Sequence, residues 1–195
     1  MKTVRIALAG IIALALSTGL HLTAKDKDNN QGERGNKLRA TLIGFNEVPS
    51  VSTPARGHFE ARIIKNSLGE PEAIEYSLTF SDLSSTTQQS HIHFAQPAVN
   101  GGIVLWLCQG AVRAPAAAGD VPECPAKEGG TVTGTLTPNE VLPTAATQQI
   151  AAGEFAEVIA AIRAGFAYAN VHSATSPGGE IRGQLQANGE EGRDH

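Results

Sequence analysis

The stretch Gln88–Cys108, QQSHIHFAQPAVNGGIVLWLC, decides how the rest of the chain is read. Val104, Leu105, Trp106 and Leu107 form an apolar run at its end, and Pro97 with Asn100-Gly101-Gly102 supplies a turn before it. Side chains alternate across a strand, so His91 and His93 share one face while Ile92 and Phe94 share the other. Two imidazoles at i and i+2 stand roughly 6–7 Å apart at their backbones, close enough to lean onto one metal ion.

Outward from this stretch the same period of two recurs. Leu38, Ala40 and Leu42 share a face in LRATLIGF, and Phe59, Ala61 and Ile63 do so in HFEARII. Ile74, Tyr76, Leu78 and Phe80 alternate in AIEYSLTF, and TVTGTL (131–136) is a further short strand. Between the first two, NEVP (46–49) and TPARG (53–57) carry turn chemistry. Near the end, FAYANVHS puts Tyr168, Asn170 and His172 on one face, and Pro177-Gly178-Gly179 turns the chain into EIRGQLQ. One segment breaks the pattern: Ile150, Phe155, Val158, Ile159 and Ile162 recur at helical spacing, which predicts a helix over 147–163 ended by Gly165. Its apolar stripe is a core face, not a cofactor box. The expected fold is all-β, a sandwich or Greek-key barrel of antiparallel strands with one covering helix.

A chain of 195 residues suits one domain with tails, and 41% apolar residues suffice for a core. The 21 glycines and 10 prolines favour many strands and turns over a helix bundle. A net charge of −4 argues against nucleic acid as a partner. Residues 1–24 read as a cleavable secretory signal: Lys2 and Arg5 precede an apolar segment, Ile6–Leu16, too short for the ~20 residues a spanning helix needs. Cleavage after residue 19 or 24 leaves a charge near −6 and no stable membrane anchor. The stretch 25–37 holds no large apolar residue and is expected to be a disordered linker, as is the tail 187–195, leaving a domain over 38–186. Cys108 and Cys124, the only cysteines, are expected to form a disulfide in an exported protein, and the spacing is not Cys-x-x-Cys. The alanine- and proline-rich loop between them reads as linker.

Three separated segments then resemble the CHRD domain, a module named after chordin and found singly in secreted bacterial proteins. They are ATLIGFNEVPSVSTPARGHFEA (40–61), SHIHFAQPAVNGGIVLWLC (90–108) and IRAGFAYANVHSATSPGGEIRGQL (162–185). The resemblance implies no settled biochemical role; chordin's repeats accompany binding of bone morphogenetic proteins, and no residue here carries that ligand over. His91-Ile92-His93, with His172 before a glycine-rich turn, is also similar to the copper/zinc superoxide dismutase sandwich. Phe94, however, follows His93 one place earlier than in that family, and His58 alone is left in the domain to complete a two-metal centre.

The leading reading is therefore one transition-metal ion, copper or else zinc, on His91, His93 and His172 with an open coordination position. With ordinary imidazole pKa values near 6.5, copper affinity is expected to fall between about pH 7 and 5. The alternative is a metal-free module that recognises an envelope protein or surface polymer, its histidines being hydrogen-bonded strand residues. A superoxide-removing enzyme is the third reading. Four neighbours complete the candidate set. Glu47 is either an acceptor for an imidazole or a solvated turn carboxylate. Asn170 would orient His172 or satisfy a loop carbonyl, and Glu180 with Arg182 would form a partly exposed ion pair. No Gly-x-Ser-x-Gly elbow or phosphate loop occurs, so hydrolase and nucleotide chemistry are set aside.

Overall fold

The computed structural model describes residues 35–126 and 128–188; the expected signal, most of the linker and most of the tail lie outside them. Alternating patches become antiparallel strands, as their period dictates. These are β1 (Lys37–Ile43), β2 (Arg56–Lys65), β3 (Pro71–Ser81), β4 (Thr87–Phe94), β5 (Gly102–Gln109) and β6 (Gly130–Leu136). A helix α1 (Phe155–Arg163) leads into β7 (Ala167–Ser173), β8 (Ile181–Gln184) and the short β9 (Gln186–Ala187).

All nine strands belong to one sheet, in the order β5-β4-β7-β8-β1-β2-β3-β6, with β9 on β1. Every pairing is antiparallel, and the sheet rolls into a nearly closed barrel. Its interior is filled from one face of each strand: Leu38 and Leu42, Phe59, Ile74 and Leu78, Ile92, Ala169 and Val171, Ile181 and Leu185. The end strands β5 and β6 are consecutive in sequence, so the Cys108–Cys124 loop joins the two margins of the sheet. A groove of about 710 Å³ lies there, lined by Trp106 and Gln109 of β5, Thr133–Leu136 of β6 and Tyr76 of β3.

The loop is better held than its composition suggests. The disulfide is formed, Ala118 is buried, and Gln109 takes the Cys124 amide on its carbonyl and the Ala114 amide on its side-chain oxygen. At the two ends, strand reaches Lys37 and Ala187, one residue beyond each expected boundary, and Ala187 pairs with Leu38. Arg163 reaches past Lys37 to the Gly35 carbonyl and the Asn36 side chain.

Helix α1 starts at Phe155, eight residues later than its periodicity predicts. The side chain of Gln148 is the reason the earlier segment is not helical. It accepts from the Gly102 amide and donates to the Phe94 carbonyl, bracing the two ends of the β4–β5 turn. Gln149 and Gly153 then take left-handed backbone angles, and the Glu154 carboxylate accepts from the Ala151 amide. Phe155, Val158, Ile159 and Ile162 are buried, as a core stripe requires. At the far end Gly165, with φ of 78°, gives its amide to Ile162 while Phe166 reaches Ala161, the paired bonds that close a helix C-terminus. Among the described residues no helix is long and apolar enough to cross a membrane.

Candidate metal centre

Strands β4 and β7 are neighbours, so the two histidine-bearing segments lie side by side. Register pairs His91 with Asn170 and His93 with Tyr168, while Gln89 faces His172. Ile92, Ala169, Val171 and Ile181 take the barrel interior. His91, His93, Tyr168, Asn170, His172 and Arg182 therefore fall on the outer face of the sheet. That face is not left to water: the three histidines are 0, 8 and 6% exposed. The turns 44–55 and 95–101 are tied together over the Arg182 side of it, Asn100 donating to the Val48 carbonyl and Arg182 to the Val99 carbonyl.

One nitrogen from each of His91, His93 and His172 can be chosen so that all lie within 4.8 Å of one another, the one such group of histidine, cysteine or acidic side chains among the described residues. A point within about 2.8 Å of all three then exists, against metal–nitrogen bonds of about 2.0–2.1 Å. A contraction below 1 Å or so would complete the bonds.

Chemistry fixes which nitrogens face inward. His93 Nδ1 and His172 Nδ1 lie 2.9 Å from the carbonyls of Gly101 and Pro177, and a carbonyl can only accept, so each Nδ1 carries the proton. His91 Nε2 gives its proton to Gln89 Oε1 at 3.2 Å. The remaining nitrogens, His91 Nδ1, His93 Nε2 and His172 Nε2, are buried lone pairs with no hydrogen-bond partner. A histidine oriented through its second nitrogen by a carbonyl is the arrangement typical of metal ligands.

Burial also keeps the rings neutral. It pushes His91 down to about 2, helped by the neighbouring His172 and His93 and opposed by Asn170. His93 is lowered to about 4, again mainly by burial, with the Gly101 carbonyl working against it. His172 is lowered by burial and by the Arg182 charge, against the Pro177 carbonyl. The rings pack on aromatic walls. Trp106 stands edge-on to His91 at 4.3 Å, and Tyr168 stacks on His93 at 4.7 Å with planes 4° apart. Arg182 covers the Tyr168 ring at 3.9 Å.

The charged neighbours differ from their expected roles. Glu47 is neither an imidazole acceptor nor solvated. It is 4% exposed and meets Arg182 Nε at 3.2 Å, because β1 lies beside β8 and carries the 44–55 turn over it. Burial pushes Glu47 up to about 7, and the Arg182 charge pulls it back only in part. Glu180 does not pair with Arg182. It is fully buried and accepts from the hydroxyls of Thr53, Ser84 and Ser173 and from the Ser84 amide. Burial pulls its pKa upward, but these donors, Ser173 foremost, hold it below the ordinary value. Asn170 lies across from His91, and Pro177 rather than Asn170 orients His172. His58 is exposed on β2, away from the cluster, so no two-metal centre forms among the described residues.

Three contributors escaped the sequence reading. Gln89, the Gly101 carbonyl and the Pro177 carbonyl each set a ring. Only Gln89 left a signal, two residues before His91 on the same strand.

The family model described as the CHRD domain matches residues 38–185. The chain belongs to the CHRD domain family. No curated protein and no solved structure matches it. The matched span takes in β2 to β8 and nearly all of β1, and with them every residue of this CHRD domain's histidine cluster.

Proposed function

We propose that this CHRD domain binds one transition-metal ion, copper foremost and zinc next, through His91, His93 and His172. One observation carries the reading: three buried imidazole nitrogens converge without a hydrogen-bond partner, while each ring's other nitrogen is held. Leaving such acceptors unpaired costs about 1–3 kcal/mol each, and a cation relieves all three together. Imidazole suits both copper and zinc, and the general affinity order favours copper(II). The disulfide and the signal-like residues 1–24 support an exported, oxidising location for this activity.

Trp106 is the only tryptophan, and its ring abuts His91, so it serves as a reporter. Titration of copper(II) into the domain at neutral pH is expected to quench its fluorescence to a one-to-one endpoint. Saturation at 100 times Kd is expected to add about 2.7 kcal/mol of stability. His93→Ala abolishes the response and His58→Ala leaves it intact. Failure of the intact domain to take up copper or zinc removes this reading. The metal-free recognition module is then left, favoured by Phe45, which stands 68% exposed beside Pro49 and Pro97 at a hollow of about 460 Å³. A superoxide assay of the copper-loaded domain tests the third reading.

A further inference from the structure

Three histidines alone would leave a bound metal open to exchange with water or substrate. A fourth unpartnered acceptor lies among them. Asn170 is 1% exposed, and its Oδ1 is buried without a hydrogen-bond partner. It stands directly across from His91 in the β4–β7 register, on the β7 face that also carries His172 two residues on. Its side chain reaches both His91 and His93. Neither ring can give it a proton, because His91 donates through Nε2 to Gln89 and His93 through Nδ1 to Gly101. Four buried acceptors without a hydrogen-bond partner therefore lie on this one face. Reversing the amide would set its two N–H groups against His91 and His93 and still leave the His172 lone pair without a donor.

We propose that Asn170 Oδ1 is the fourth ligand, closing a sphere of three nitrogens and one oxygen around the metal. The inference rests on the metal-binding reading above and adds to it a consequence: the site holds its ion and offers no position to a substrate. A neutral amide oxygen is a weaker donor than imidazole, so it completes the sphere without adding charge to a buried centre.

The test uses two variants and one small anion. Copper(II) affinity is measured against a chromophoric chelator for the wild type, Asn170→Leu and Asn170→Asp, and each loaded protein is then titrated with azide. Asn170→Leu is expected to bind about 10- to 100-fold more weakly and to acquire an azide charge-transfer band. Asn170→Asp keeps an oxygen at the site and is expected to bind at least as tightly as the wild type. The wild type is expected to ignore azide. A hydrogen-bonding role, with the amide nitrogen on an imidazole, predicts the opposite for Asn170→Asp, whose carboxylate would repel the ring's lone pair. Loss of affinity in Asn170→Asp, unchanged affinity in Asn170→Leu, or azide binding by the wild type would each overturn the proposal while leaving the histidine site standing. No copper uptake by the wild type would remove both.

Discussion

Arg182→Met keeps the stem of a buried side chain and deletes its charge. In the wild type the guanidinium faces Glu47 Oε2 at 3.2 Å, gives a hydrogen bond to the Val99 carbonyl at 3.1 Å, donates to Asn100 Oδ1, and lies 3.9 Å over Tyr168. Removing one member of a buried ion pair typically costs about 3–5 kcal/mol, since the partner's charge is left behind. Here that partner is Glu47, already pushed from 4.5 to about 7 by burial. Without Arg182 it rises further. An acid whose folded pKa is raised carries no penalty below its unfolded value, and the penalty grows as pH climbs toward the folded one. Arg182→Met/Glu47→Gln carries no such acid. The stability difference between double and single variants should therefore be near zero at pH 4.5 and widen by about 1.4 kcal/mol per pH unit above it. Urea unfolding of both variants at several pH values measures this difference, and the pH dependence of all other groups cancels. A difference that stays flat from pH 4.5 to 8 refutes the account of Glu47 as a buried, Arg182-dependent carboxyl.

Four further outcomes are expected. The metal-free domain should lose stability as pH falls below about 6.5, because its histidines stay neutral when folded but take protons when unfolded. Two such groups, His91 at about 2 and His93 at about 4, give a limiting slope near 3 kcal/mol per pH unit, to which His172 adds, and acid unfolding followed by Trp106 fluorescence measures it. For the same reason copper affinity of the folded domain should be nearly flat from pH 7 to 5, with His93 lowered to about 4, and not fall as ordinary imidazoles would; a tenfold loss across that interval would contradict it. Replacing both cysteines of the bridge by serine, across a sequence separation of 16, should cost about 3 kcal/mol in urea. Gly179→Ala should destabilise and loosen the Glu47–Arg182 contact, since a Cβ there would stand 2.6 Å from Glu47 Oε1 at a φ of 121°, and thermal unfolding would register it.

The strands were legible because their period of two is stark: Leu38-Ala40-Leu42 and Ile74-Tyr76-Leu78-Phe80 are buried position by position. So were the three histidines, since i, i+2 spacing on one strand and an alternating neighbour set around His172 survive in the sequence alone. The helix start was not. Apolar spacing continues back to Ile150, but Gln148 is tied to β4 and β5 by side-chain bonds that no periodicity encodes. Partners of the charged residues were illegible for a similar reason. Glu180 and Arg182 sit two apart and suggest each other. Which carboxylate meets Arg182 instead depends on β1 lying beside β8, a fact of topology. The depressed imidazole pKa values follow from turns folding over the outer face, also invisible to a strand-by-strand reading.

The distance along the chain between β4 and β7 sets an order of arrival for the cluster. His91 and His93 emerge in the middle of the domain, and His172 only after the crossing through α1. Pairings between remote segments come late in folding, since their loops must close first. A chain still unfolded thus holds His172 apart from His91 and His93, and gains its chelating geometry only when β4 and β7 pair. On the metal-binding reading proposed above, which ion is captured is then decided less by the ligand set than by the surroundings in which these strands pair. On the exported reading proposed above, an intracellular metal pool does not load the site, because the sheet is completed elsewhere. Timing of folding, not affinity alone, becomes the selectivity filter.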